Sequence, residues 1–503
     1  MKPSIGGSPI TRTLLPNVRE NEGEVATVAG TTPVRPGAQR LGWGHLSLIN
    51  AFWFGQGAHW QPIFNALIPV GATLIDKPNK DLLVGKVTAA GGVFALLIPI
   101  VVGFLSDRTR SRFGRRRPWM VAGTIGNIIG LFLVASAGSA FLLIAFYLIL
   151  QASNNVAGAA YSGVIPDVVP EQERGRASGL LGVMNNVGTI VGLVGVVVIF
   201  AVFQDTRPGV FFGYAYIAVL VIITLVISCA GIEERSTAAE PRGATPITRP
   251  MLVFGVVFIA FVATALWLLI EDQLSLAVLG AAVATGVASL LTGLRIPELR
   301  TFVSPFAVHD FRWVFLTRFI VQFGIFSIAP FINFYFQDVI HAGDRAGFES
   351  SLWLAVVFVA GAIPAVVCGS ISDRTGRRKI FVYVAGGLQA LVVATLLIGL
   401  VDQLIPMFVL GALFGIGYGT YYAVDWALAC DVLPNGGAEA GKDMALWHIS
   451  FTLPQVLAPA LLAPVLHNLN GVGINLGYRV IFGLAAVWFL MGTVMVRKIR
   501  AVR

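Results

Sequence analysis

The sequence predicts an all-α membrane protein: two six-helix bundles with a two-helix hairpin inserted between them, fourteen transmembrane helices in all. Three observations predict it. Of 503 residues, 56% are hydrophobic and only 12% charged, where a soluble domain carries about a quarter charged. The apolar residues fall in runs long enough to cross a bilayer, which takes about 20 residues of helix. A charged loop in the first half of the chain returns in the second half.

Residues 1–41 are polar and rich in Gly, Pro and Thr, with no short apolar core ahead of a small-residue cleavage site, so they read as a flexible cytoplasmic tail. Apolar runs at 43–69, 82–105, 119–138, 140–163, 177–203 and 210–231 make a first bundle over 42–231. A cytoplasmic linker, 232–250, leads to a hairpin at 251–294, whose spans are joined by Glu271, Asp272 and Gln273. A second linker, 295–310, precedes runs at 311–336, 351–371, 380–400, 404–429, 443–467 and 476–496, the second bundle over 311–503.

The net charge of +9 sits in short loops. Arginines crowd 108–117, Arg374 to Lys379 form a second cluster, and Arg497, Lys498, Arg500 and Arg503 a third. Evenly spaced spans put all three on one side, and basic loops stay on the cytoplasmic side, so both termini are expected there, in a bacterial inner membrane. Lys77 and Lys80 fall on the other side, beside Asp76 and Asp81. No aromatic ladder accompanies the basic residues, which excludes nucleic-acid binding. Cys229, Cys368 and Cys430 lie far apart, which excludes a disulfide framework or zinc site. Gly436 to Asp443 misses a phosphate-binding loop, since Asp443 stands where Ser or Thr is needed. No nucleophile elbow or paired metal histidines appear. The chain is therefore read as a non-enzyme without cofactor or metal.

The repeat is specific. Gly103-Phe-Leu-Ser-Asp107-Arg108 returns as Gly369-Ser-Ile-Ser-Asp373-Arg374, an offset of 266, and Arg115-Arg116 returns as Arg377-Arg378. Pro166-Asp167-Val-Val-Pro170 is echoed by Cys430-Asp431-Val-Leu-Pro434, an offset of 264. Two markers at nearly one offset indicate a duplicated six-helix unit, the plan of a large transporter class. The loop Gly103 to Arg117 resembles the cytoplasmic signature of the major facilitator superfamily. Ser111 to Trp119 is most similar to the glycoside–pentoside–hexuronide symporters and the related sucrose transporters, with Asp338-Val339 a weaker echo. That resemblance implies a sugar or glycoside moved with a cation. The helix-two carboxylates of sodium-coupled melibiose permeases fall here at Ala95 and Pro99, which points away from a sodium site of that design. It also implies a cytoplasmic gate of Gly103, Asp107, Arg108, Arg115, Arg116, Gly369, Asp373, Arg374, Arg377 and Arg378. Arg174, in an acid–arginine cluster after the fourth span, would pair with Asp107.

Ionisable groups at membrane depth are functional candidates by default. Asp425 is placed to bind a proton or accept sugar hydroxyls, or to form a structural pair with Arg318. His448 is a second titratable candidate, and His59 reads as structural. Asn50, Trp53, Gly57, Trp60 and Gln61 share about a third of the first helix's circumference. Amides with indoles suit a sugar, and they also serve as interhelical glue. Candidate substrate contacts are Asn50, Trp53, Gln61, Asn154, Asn155, Gln322, Asn333, Tyr421 and Trp447. The expected partners are a small solute, a coupling proton and membrane lipid, around a monomer that works by alternating access. The rival readings are an exporter of drugs, hydrophobic metabolites or lysolipids, and a transporter-like sensor that carries no flux.

Overall fold

A computed structural model describes residues 41–107, 109–170, 173–234, 303–398, 401–434 and 440–501, with scattered positions between 253 and 300. The expected hairpin at 251–294 and the tail before Leu41 fall outside the described residues, scattered positions aside. Among the described residues every long element is helical, in two sets of six. The first set is α1 (Trp43–Pro62, continued to Ile75), α2 (Lys80–Asp107), α3 (Arg117–Ser136), α4 (Ala140–Ser162), α5 (Arg174–Phe203) and α6 (Arg207–Gly231). The second is α7 (His309–Ile328, continued to Asp338), α8 (Ala346–Thr375), α9 (Arg378–Ile398), α10 (Leu404–Asp431), α11 (Ala440–Val472) and α12 (Leu476–Met495). Ten described helices are long and apolar enough to cross a membrane. The loops leading into α3 and α9, with the end of the chain, define a basic face; the loops before α2 and α8 define the opposite face.

Local chemistry explains the boundaries. Pro118 and Pro208 sit in the first turns of α3 and α6, where a missing N–H costs nothing. Ser139 and Thr206 cap α4 and α6 by accepting from Leu142 N and Gly209 N, each at 3.3 Å. Glu234, just after α6, accepts from the backbone N–H groups of Arg116 and Arg117 at 2.9 and 3.1 Å, placing a carboxylate on the positive end of α3. Gly376 closes α8 at φ +64°, a left-handed turn that favours glycine.

The leading helix of each half is broken. After Pro62, α1 passes through a π-turn at Ile63–Leu67. At Pro330, α7 passes through a 3₁₀ turn at Ala329–Phe331. Residue 63 plus the repeat offset of 266 is residue 329, so the two breaks are equivalent positions of the duplicated unit. Such interruptions are tolerated at membrane depth where neighbouring protein re-satisfies the backbone.

Within each half, glycines bring helices to backbone contact. A Cβ on Gly188 of α5 would overlap the Phe54 carbonyl oxygen of α1, and one on Gly419 of α10 would overlap the Gly361 carbonyl oxygen of α8. Close approach through small residues is how helices pack where lipid removes the hydrophobic drive. Gly188→Leu and Gly419→Leu should therefore each abolish the monodisperse folded peak in size-exclusion chromatography. Gly158→Leu, whose Cβ would meet nothing within 4 Å, should elute as the parent does.

Candidate functional site

A cavity lies mainly within the second half and takes one wall from the first. The first half contributes Gln61, just before the α1 break, and Asn65, within it. From the second half, α7, α8, α9 and α10 contribute Gln322, Trp353, Val393, Phe414, Tyr418 and Tyr422 among others. Gln322 donates from Nε2 to the Tyr422 hydroxyl at 3.2 Å. The Tyr418 and Tyr422 rings lie 4.6 Å apart. Gln322 Oε1 is buried without a hydrogen-bond partner among the described residues.

One helical turn before Gln322, Arg318 meets Asp425. Arg318 Nη1 donates to Asp425 Oδ2 at 2.7 Å, and both residues are 3% exposed. The Tyr421 hydroxyl donates to Asp425 Oδ1 at 3.2 Å. The guanidinium lies 3.5 Å from the Trp447 ring centre, a cation–π contact that strengthens when desolvated. Among the described residues, Arg318 Nε and Trp447 Nε1 are buried with no hydrogen-bond partner, which leaves donors for a solute or water. His448 stacks on Phe451, centres 5.5 Å apart, and Phe451 also lines the cavity. Asp425 stands six residues from the end of α10, about 9 Å at helical rise. The ion pair thus sits towards the basic face.

The other sequence-selected amides take different positions. Asn50 is fully buried: its Nδ2 donates to Leu46 O and Ala177 O at 2.9 and 3.2 Å, and its Oδ1 accepts from Tyr161 at 3.0 Å. Asn154 and Gln56 exchange reciprocal amide bonds at 3.1 and 2.9 Å. Asn155 donates to Gln151 O at 2.8 Å. Trp53 meets Tyr161 edge-on, 6.3 Å between centres. Asn333 donates to Ser350 at 3.0 Å and accepts from Gln337 at 2.9 Å, near the opposite face. Asn65, Tyr418 and Tyr422 were not singled out from sequence. Their signals were present: Asn65 follows Gln61 by one turn, and Tyr418 and Tyr422 share a helix face.

At the basic face the arginines grip a carboxylate within their own half. Arg115 Nη2 and Arg116 Nε reach Asp167 at 2.6 and 2.8 Å, and Arg116 Nη1 donates to Ser106 at 2.6 Å. The equivalent pair, Arg378 and Asp431, forms in the second half. Arg374 and Arg377 are exposed. A Cβ on Gly103 would meet open space, and one on Gly369 would sit 3.3 Å from Ala423. Arg108 and the side chains of Asp107, Arg174 and Asp373 lie outside what is described.

The two halves are tied together at the opposite face. Lys80 at the start of α2 reaches Asp338 at 2.6 Å and Gln337 at 2.8 Å across the boundary between halves. Asp338 also accepts from Tyr478 at 2.6 Å. Asp81 lies 3.1 Å from His467 Nδ1. Asp205, between α5 and α6, accepts from Gly347 N at 2.7 Å, and its own N–H donates to Asp344 O at 3.0 Å. Lys80, an exception to the charge rule in sequence, is accounted for by this pairing.

The family model described as Major Facilitator Superfamily matches residues 64–459 and again 314–502. The chain belongs to the Major Facilitator Superfamily. With ten apolar helices among the described residues, it is a multi-pass integral membrane protein. It is 29% identical to the general alpha-glucoside permease of Schizosaccharomyces pombe over 166 residues, 29% of this chain and 30% of that one. It is 26% identical to the lactose permease of Lactobacillus helveticus over 207 residues, 37% of this chain and 32% of that one. An uncharacterized symporter of Synechocystis is 29% identical over 187 residues, 34% of this chain and 32% of that one. The matches thus span about a third of the length of each curated relative. Among solved structures, a nucleoside transporter covers 91% of this chain with TM-score 0.60 at 13% identity, and 100% of its own length is matched. A POT family transporter in complex with a thioalcohol-conjugated peptide covers 91% with TM-score 0.63 at 14% identity, and 96% of that chain is matched. These two share the fold.

Within this Major Facilitator chain the Asp205 contact has a pH dependence of definite sign. Burial disfavours its carboxylate and pushes its pKa up from the ordinary carboxylate range to about 7; the Gly347 bond opposes the rise and the charges of Asp344 and Glu349 add to it. Parting the halves at this face returns the carboxyl to water and to its ordinary value. The closed form therefore binds the extra proton. Closure should weaken as pH rises from about 4 to about 7, then level off. Spin labels at Lys77 and Ile474, on opposite halves in a cysteine-free background, should show the separated population growing across that range. Asp205→Asn should flatten that component; an unchanged titration would remove Asp205 as its source.

Proposed function

We propose that this protein is a secondary transporter that moves a sugar or glycoside by alternating access, driven by protons. The observation that carries the reading is the buried Arg318–Asp425 pair beside a cavity with free polar atoms. An ion pair this deep is a weak stabiliser, since desolvation offsets most of its attraction, so its presence calls for a functional reason. Protonation of Asp425 would release Arg318 to solute oxygens and bias the halves between states. The names of the partial relatives, an alpha-glucoside permease and a lactose permease, support a sugar. Contacts assigned to the solute are Gln61, Asn65, Gln322, Tyr422 and Trp447, with Tyr421 and His448 around the proton site.

The same reading assigns the basic face to the cytoplasm, with both termini there, in a bacterial inner membrane. The contacts of Lys80, Asp81 and Asp205 then form an outer gate, and Asp107 and Asp373 belong to an inner one. The domain bounds proposed from sequence are kept, including the fourteen-span layout with 251–294 as an accessory hairpin. The working unit is a monomer in lipid.

Proteoliposomes loaded at alkaline pH test the mechanism. Asp425→Asn should abolish accumulation against a gradient and spare solute exchange. It should also lower stability, by about 3–5 kcal/mol if Arg318 is left unpaired. The double variant Arg318→Leu with Asp425→Leu should recover much of that stability and still fail to accumulate solute. Recovery of accumulation together with stability would assign the pair a structural role and sink the proton mechanism.

A further inference from the structure

Inside the first half, one buried polar contact lies directly behind the cavity wall. His59 and Asn127 are both fully buried, and His59 Nε2 lies 2.9 Å from Asn127 Nδ2. The bond ties α1 to α3. Two residues beyond His59 is Gln61, turned about 200° around the helix. A single turn of α1 therefore gives His59 to the bundle interior and Gln61 to the cavity.

The place of this bond along α1 is what makes it informative. As far as Ala58, α1 is held by backbone contact: a Cβ on Gly188 of α5 would overlap Phe54 O, and one on Gly192 would overlap Ala58 O. The π-turn begins at Ile63. Between those points, His59 makes the one interhelical side-chain hydrogen bond of α1 among the described residues. The Trp60 ring packs edge-on against the imidazole, centres 4.6 Å apart. The turn then carries the setting forward, because Asn65 Nδ2 donates to Gln61 O at 2.9 Å and to Gln61 Oε1 at 2.8 Å.

The duplicated unit supplies a comparison. The offset of 266 takes His59 to Ile325, and the offset of 262 that relates Arg116 to Arg378 takes Asn127 to Gln389. The second half thus keeps the amide and lacks the imidazole. Gln389 is fully buried, and neither its Oε1 nor its Nε2 has a hydrogen-bond partner among the described residues. One six-helix unit forms without this bond, so folding alone does not account for it in the other.

We propose that His59 is a positioning residue: its bond to Asn127 fixes the rotation of α1 just ahead of the π-turn and so aims Gln61 and Asn65 into the cavity. A π-turn interrupts the regular hydrogen-bond ladder that sets a helix's phase, and an interhelical bond at its entrance sets the phase instead. The proposal rests on the transporter reading only in treating those two amides as solute contacts.

The experiment measures thiol labelling of the full chain in lipid nanodiscs, with no solute present. In a cysteine-free background, Gln61→Cys reports the cavity face of α1 and Val393→Cys, on α9, serves as the control; each is reacted with a small charged methanethiosulfonate. A hydrogen bond of ordinary strength shifts an orientation equilibrium by about fivefold, so His59→Leu should slow labelling at position 61 by about that factor and leave position 393 unchanged. His59→Leu also strands the Asn127 amide and should lower the melting temperature. Adding Asn127→Leu removes the stranded group and should restore the melting temperature, while labelling at 61 stays slow. His59→Gln, which keeps a group able to bond Asn127, should label close to the parent rate. An unchanged rate at 61 in His59→Leu would overturn the proposal. Recovery of both melting temperature and labelling rate in the double variant would also overturn it and leave the contact a purely structural one. None of these outcomes depends on whether the protein transports a sugar.

Discussion

The structure turns on a charge pair placed where charge is expensive. Arg318 and Asp425 are both buried, joined at 2.7 Å, and backed by the Trp447 ring and the Tyr421 hydroxyl. In a low-dielectric interior neither ion is tolerable alone. Any event that neutralises or borrows one of them must move the other, and on the proposed mechanism this ties a proton to whatever occupies the adjacent cavity. The broken leading helices serve the same end. At equivalent points α1 and α7 give up regular hydrogen bonding, and beside those breaks lie Gln61, Asn65 and the α7 lining of the cavity.

Around that centre the duplication supplies two six-helix sets. Backbone contacts at glycines lock α1 to α5 and α8 to α10. The repeated arginine–aspartate pairs, Arg116 with Asp167 and Arg378 with Asp431, pin helix ends inside each half. At the boundary between halves, Gly85 and Gly92 of α2 also pack closely on α11, against Ala463 and Val456. The contacts of Lys80, Asp81 and Asp205 cross that boundary at the opposite face, and they are polar, partly hydrated and titratable. Bonds of that kind are easily exchanged for water, as a gate requires.

The sequence carried the helix order, the two-fold repeat and the basic face, because each is written in local composition: apolar length, motif spacing and loop charge. It carried Gln61, Gln322, Asp425 and Arg318 as polar exceptions in apolar runs. It offered Arg318 as a partner for Asp425, and that pair forms; it did not carry how the amides pair. Asn50 shares a helix face with Gln61, yet its amide is spent on Tyr161 and backbone carbonyls, and Asn154 pairs with Gln56, because pairing depends on the neighbouring helix. Nor did it carry the partner of the basic loop: Arg115 and Arg116 bind Asp167 of their own half. The opposite-face contacts were hidden for a related reason. Lys80 and Asp338 are 258 residues apart, and each looks like an ordinary loop charge. The helix breaks were marked by Pro62 and Pro330, a signal visible once the repeat offset is applied.

The central claim is that solute and proton cross together through the Arg318–Asp425 centre. The most direct test records current from proteoliposomes on a solid-supported membrane when a binding glycoside is added at zero membrane potential. The account predicts a solute-dependent transient of the sign of proton entry with solute. The transient should shrink as pH is raised past the titration of the carrier and vanish in Asp425→Asn. Solute entry that proceeds with no current at any pH would contradict it, because a neutral solute moving alone carries no charge.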